Sequence, residues 1–107
     1  MENPVFDRAH LAQYTDGDAA LEAELFGLLT DQAKRCVDAL RTAVDEEAWK
    51  AAAHTLKGAA SGMGAFALAD ACGRAEETAQ ANWPAAALSV EQASDEALKT
   101  IRETLSI

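Results

Sequence analysis

The sequence DEEAWKAAAHTLKGAASGMG, from Asp45 to Gly64, predicts the helix around which the rest of the fold is arranged. Acidic residues at Asp45, Glu46 and Glu47 suit the first turn, where the helix dipole favours negative charge, and Gly64 is a natural C-terminal stop. At about 100° per residue, one side of this helix is continuously apolar and is predicted to face a core. The residues on that side are Trp49, Ala52, Ala53, Leu56, Ala60 and Met63.

The opposite side of the same helix displays His54 to solvent. Four residues lie within roughly 60° of it on the helical projection. A lone surface histidine is most often an ordinary surface residue, and a helical glycine often serves close packing. Here, however, two lysines flank the ring in an acidic chain, which favours an anion at this face. The four neighbours are Lys50, Lys57, Gly58 and Ser61, and the small residues that flank this face are Ala51, Thr55 and Gly62.

Gly58 stands one turn after His54, where any side chain would crowd a group added to the imidazole. Its presence in mid-helix costs roughly 1 kcal/mol relative to alanine. Close packing with Gly62 is the alternative explanation, but the projection puts Gly58 on the solvent side. We therefore predict a nucleophilic histidine that carries a phosphoryl group while it is docked to another protein.

Apolar residues at steps of three and four predict helices on both sides of this segment. A short helix from Phe6 to Tyr14 would precede an N-cap at Asp16 or Asp18, and Pro84 suits the first turn of the last helix. Because the loops are short, sequential helices should be antiparallel neighbours, which predicts an all-α, up-down four-helix bundle with a short additional N-terminal helix. The predicted rows are Leu21, Leu25, Leu28, Leu29, Gln32, Cys36 and Leu40; then Leu68, Cys72, Ala75 and Ala79, ending near Asn82; then Leu88, Ala97, Ile101 and Leu105.

Composition and charge exclude several classes of function. The net charge of −9 argues against binding to nucleic acid or to an anionic membrane surface, both of which need basic residues. The two cysteines form neither a CxxC motif nor a cluster with histidine, so we expect no disulfide framework and no zinc site. With no signal pattern and no apolar run long enough to cross a bilayer, a cytoplasmic protein is predicted.

The segment His54-Thr55-Leu56-Lys57-Gly58-Ala59-Ala60, followed by Met63-Gly64-Ala65 and then Leu68, Cys72 and Glu76, resembles the histidine-containing phosphotransfer (HPt) domains of multistep phosphorelays. The resemblance implies a single domain over residues 1–107, with His54 as phosphoacceptor, Lys57 stabilising the phosphoryl oxygens and Gly58 leaving room for them. One departure is Ala75, where the family often has a bulky aliphatic residue.

Glu76 continues the row of Leu68 and Cys72 at four-residue steps, at the inward edge of its helix. In the family, a Gln or Glu at the matching position can face the histidine and hold the ring. A carboxylate accepting from Nδ1–H would leave Nε2 free to attack phosphorus. The alternative is an exposed acid on an alanine-rich helix. Gln80 is a weaker candidate for contact with the phosphoryl group, and Cys72 is predicted to be a core residue.

The resemblance implies a monomeric phosphocarrier that passes a phosphoryl group between receiver-domain aspartates of response regulators or hybrid histidine kinases. The chain has no nucleotide-binding loop and no acid cluster for Mg²⁺, so we predict no enzyme activity, no cofactor and no metal, with Mg²⁺ held by the partner receiver domain. The alternatives are the phosphorylatable domain of a chemotaxis-type kinase, a helical adaptor or kinase inhibitor that is not phosphorylated, and a di-metal bundle enzyme. The predicted docking residues are Lys50, Ala51, Thr55, Ser61 and Gly62.

Overall fold

The structure, a computed structural model, describes residues 2–107, so that Met1 of the predicted domain lies outside it. Helices α2 to α5 form a four-helix bundle in which each helix packs on the next and α5 returns to α2. The short helix α1 packs against α2 and α3, and the predicted fold class is confirmed. The helices are α1 Arg8–Thr15, α2 Ala19–Thr42, α3 Glu46–Met63, α4 Phe66–Glu76 and α5 Trp83–Leu105, with a 3₁₀ turn at Gln80–Asn82.

Aspartate side chains begin the first three helices. Asp7, Asp18 and Asp45 each accept a hydrogen bond from the backbone N–H three residues ahead, which satisfies a donor that the first turn leaves free. Of the two predicted N-caps for α2, Asp18 therefore has this role, while Asp16 ends α1 in a left-handed conformation. Gly64 ends α3 at a φ of 85°, and its carbonyl accepts from Asp7 N–H at 2.8 Å, which joins the N-terminal segment to the bundle.

The core contains the whole apolar side predicted for α3, since all six of its residues are buried. In α2 the predicted row is partly wrong, because Leu28 is 59% exposed and the buried row runs through Phe26 and Leu29. In α5, Leu88 is likewise exposed and Val90 is buried instead. Both helices carry apolar residues on adjacent rows, and packing against their neighbours decides which row is inside.

A partly buried ion pair joins α1 to α2. The guanidinium of Arg8 donates to both carboxylate oxygens of Glu22, at 2.6 and 2.9 Å, and the Thr15 hydroxyl donates to the same carboxylate at 2.8 Å. Glu22 is only 2% exposed, and a buried carboxylate without such partners would be costly. The position of α1 is therefore determined by polar contacts as well as by the buried side chain of Leu11.

The predicted end of the fourth helix near Asn82 is wrong, because α4 ends at Glu76 and Ala79 is exposed and extended. Side chains donate hydrogen bonds to two carbonyls in the last turn of α4. Thr78 Oγ1 donates to Arg74 O at 2.7 Å, and Trp49 Nε1 donates to Ala75 O at 2.7 Å. Arg74 O and Ala75 O also accept from Glu77 N–H and Thr78 N–H, three residues ahead, at 3.2 and 3.1 Å, so the last turn tightens before the chain leaves the helix.

Candidate functional site

His54 lies in the middle of α3 and its side chain is 79% exposed, as the helical projection predicts. Buried neighbours on the same helix hold the opposite side in the core, so the ring is presented on a rigid element. Gly58, one turn later, is also exposed, and a Cβ placed there would meet nothing within 4 Å. Packing does not require a glycine at this position, and the space beside the ring is open.

Glu76 at the end of α4 faces the histidine ring. Its Oε1 atom lies 3.7 Å from His54 Nδ1 and 3.9 Å from Lys57 Nζ. Both distances exceed those of a hydrogen bond, and the buried Oε1 atom has no hydrogen-bond partner. Glu76 is 20% exposed, so the structure disagrees with the alternative of a fully exposed acid. Since Nδ1 is the nitrogen that faces α4, Nε2 is directed away from it, toward solvent.

The two predicted lysines have different surroundings. Lys50 forms an ion pair with Glu46 at 2.9 Å, one turn back on the same helix. The Lys50 ammonium lowers the pKa of the Glu46 carboxyl, chiefly through their hydrogen bond, and the carboxylate raises the pKa of Lys50 in return. Lys57 instead extends toward Glu76 and has no closer acidic partner among the ion pairs of residues 2–107. The Lys57 ammonium therefore lies on the side of the site that faces Glu76, whereas Lys50 is paired within its own helix.

The predicted docking residues lie along the accessible side of α3. Ala51, Thr55 and Gly62 are exposed and Ser61 is partly buried. Because their side chains are small, no large group stands beside His54 on this surface, and a partner could approach the ring closely.

Sequence reasoning missed an apolar groove beside this surface, with a volume of about 490 Å³. It runs between α1, α2 and α3, and Gly58 and Gly62 lie along it. Tyr14 and Leu28 border it with 66% and 59% of their surfaces exposed. The signal in the sequence was the excess of leucines in α2, which supplies more apolar rows than one core needs. The remaining lining residues are Leu11, Leu25, Leu29, Gln32, Ala59 and Met63.

The chemistry open to this arrangement is nucleophilic attack by the imidazole. Within residues 2–107, no group of three or more His, Cys, Asp or Glu side chains is placed to hold a metal ion. Across the same residues, no helix has both the length and the apolar character needed to span a membrane. Gln80, the weaker candidate, lies in the 3₁₀ turn beyond the end of α4 and so does not continue the row of Glu76.

The family model described as "Hpt domain" matches residues 24–105, which includes His54, Lys57, Gly58 and Glu76 but leaves out α1. No curated protein and no solved structure matches the chain significantly.

Proposed function

Because the chain belongs to the Hpt domain family, whose members transfer phosphoryl groups through a histidine in phosphorelays, we propose that His54 carries the phosphoryl group here. The donor and the acceptor would be aspartates of receiver domains in response regulators or hybrid histidine kinases. The observation that carries this proposal is the solvent-exposed ring of His54 with Glu76 behind it and Lys57 beside it. The family is one of phosphocarriers, and we propose that this chain has no catalytic activity of its own.

The proposed reaction is a displacement at phosphorus. The Nε2 lone pair of His54 attacks the aspartyl phosphate, the P–N bond forms, the P–O bond to the aspartate breaks, and the aspartate leaves as a carboxylate. The proton on Nδ1 stays on the ring, which becomes a phosphorylated imidazolium. Glu76 faces that nitrogen at 3.7 Å, so its carboxylate stabilises the positive charge that develops on the ring. Transfer to the next receiver reverses these steps.

Lys57 and Gly58 serve the phosphoryl group itself. The Lys57 ammonium neutralises part of the charge on the phosphoryl oxygens, which is the main contribution a protein makes to phosphoryl transfer. Gly58 leaves room for those oxygens and for the incoming aspartate, since nothing occupies the space above it. Mg²⁺ would be bound by the receiver domain.

We also propose that the receiver docks on the surface of His54 and in the adjoining groove. The groove continues from Gly58 and Gly62, so one approaching domain can cover it and reach the histidine together. Exposed Tyr14 supplies aromatic area of the kind that is enriched at binding hot spots, and exposed Leu28 adds apolar area to the same groove. The chain would act as a monomer in the cytoplasm.

The test is transfer from a ³²P-labelled receiver domain in the presence of Mg²⁺. We expect one label per chain, located at His54, stable in alkali and labile in acid as a phosphoramidate is. The control is His54→Gln, which should remain helical and take up no label. Labelling that persists in this variant would refute the assignment of the phosphoacceptor.

A further inference from the structure

Gly73 on α4 is a glycine that the fold does not explain. It lies within a regular helix and is not among the glycines of residues 2–107 with positive φ, so the backbone does not require it. A glycine in mid-helix is less favourable than alanine. A Cβ placed on Gly73 would lie 3.7 Å from Lys57 Nζ and 3.8 Å from Lys57 Cε. The end of the lysine side chain therefore lies directly against the bare backbone of α4.

The end of the Lys57 side chain lies against α4 at Gly73 and, from there, close to Glu76. From this position, Lys57 Nζ is 3.9 Å from Glu76 Oε1, and the same oxygen is 3.7 Å from His54 Nδ1. The lysine side chain is 47% exposed, so packed side chains do not enclose its ammonium. Its contacts at this end are with the backbone of α4 at Gly73 and, at 3.9 Å, with the carboxylate of Glu76.

We propose that Gly73 is a positioning residue for phosphotransfer, because a small residue here, glycine or alanine, keeps open the place on α4 where the end of Lys57 lies. This inference rests on the proposed phosphorylation of His54. An alanine fits, since 3.7 and 3.8 Å are ordinary van der Waals distances. A leucine adds three further carbon atoms in the space that Cε and Nζ occupy. Lys57 would then leave its place beside Glu76, and the site would lose the ammonium that lies 3.9 Å from the carboxylate facing the ring.

A small phosphoryl donor separates this effect from docking. Phosphoramidate, as the zwitterion ⁺H₃N–PO₃²⁻, transfers its phosphoryl group to Nε2 of His54, while its own P–N bond breaks and the nitrogen leaves as NH₃ with the bonding electron pair. We expect Gly73→Leu to slow this labelling by about three- to tenfold, which is the range expected for misplacing a half-exposed charge–charge contact. Gly73→Ala should label like the wild type. The matched control is Gly27→Leu on α2, where a Cβ meets nothing and the same gain in helix propensity applies.

A double-mutant cycle identifies the mechanism. In a Lys57→Ala background, Gly73→Leu should cause no further loss, because the side chain through which Gly73 acts is absent. An equal loss in both backgrounds, or wild-type rates for Gly73→Leu itself, would refute the positioning role. Should Gly73→Leu fail to fold by circular dichroism, Gly73→Met serves in the same cycle. If the wild-type protein takes up no label at His54, the proposed function fails. That result differs from the two outcomes that would refute the role of Gly73, in which the wild type is labelled.

Discussion

Replacing Gly58 by glutamine should stabilise the protein and impair its function. A Cβ at this position meets nothing within 4 Å, so no clash offsets the gain in helix propensity, which is about 0.5–1 kcal/mol for this exchange. For a domain of this size, that gain corresponds to a rise in melting temperature of about 2–6 °C. Residues four apart on a helix are neighbours, so the glutamine side chain would stand beside the imidazole of His54.

Two measurements on the same variant test this reasoning. Thermal unfolding followed by circular dichroism should give a higher Tm, while transfer from a phosphorylated receiver should fall by at least about tenfold, the equivalent of about 1.4 kcal/mol in activation free energy. Gly27→Gln on α2 is the matched control, with the same gain in propensity and wild-type transfer. Unfolding of the Gly58 variant would show that the glycine serves packing, and wild-type transfer would refute the steric argument.

Three other predictions concern the site and the core. Glu76→Gln should reduce transfer, because the amide lacks the charge that stabilises the developing imidazolium, and Glu76→Ala should slow it more without lowering Tm, because it also removes the oxygen that faces Nδ1; equal rates for both variants and wild type would make the carboxylate irrelevant. Burial is the main reason why the pKa of the Cys72 thiol is raised to about 12, and the electrostatic effect of Cys36 is the second. Above about pH 9 the thiol ionises in the unfolded chain but not in the folded one, so the free energy of unfolding should fall as the pH rises. In urea titrations this fall should be up to about 1.4 kcal/mol per pH unit steeper than in Cys72→Ala. Parallel pH profiles for the two proteins would contradict this prediction. Arg8→Ala leaves the carboxylate of Glu22 buried without its cation, and we expect a loss of about 2–3 kcal/mol in urea unfolding, less than for a fully buried pair because Arg8 is 42% exposed; a change under 0.5 kcal/mol would contradict it.

The parts of the fold that the sequence predicts well are those in which one helix carries one clear apolar side. In α3 the apolar residues form a single row, so its buried residues and the exposure of His54 both follow from helical periodicity. In α2 the leucines occupy more than one row, and periodicity alone cannot choose between them. The choice depends on the neighbouring helices, and Glu22 is one residue of the buried side, held against Arg8 and Thr15. Leu28 is thereby left outside, in the groove.

The contacts at the end of α4 could not be predicted from local sequence, because the residues that stop the helix lie on other helices as well as its own. Trp49 of α3 donates to Ala75 O, and its indole stacks on Trp83 of α5 with ring centroids 4.6 Å apart. A run of alanine and glutamine beyond Glu76 favours a longer helix, and these tertiary contacts override that preference.

The same contacts determine where Glu76 lies relative to His54. Trp49 and His54 belong to one helix, and the carbonyl that Trp49 binds is that of the residue directly before Glu76. Helix α3 therefore fixes the position of its own histidine and, through the indole, the end of the helix that carries the facing carboxylate. Any shift of α4 along α3 that would separate Glu76 from the ring must first break a hydrogen bond between buried groups, which costs about 1–3 kcal/mol when one partner is left unsatisfied. Buried contacts therefore determine the distance between the ring of His54 and the carboxylate of Glu76, although the ring itself is exposed.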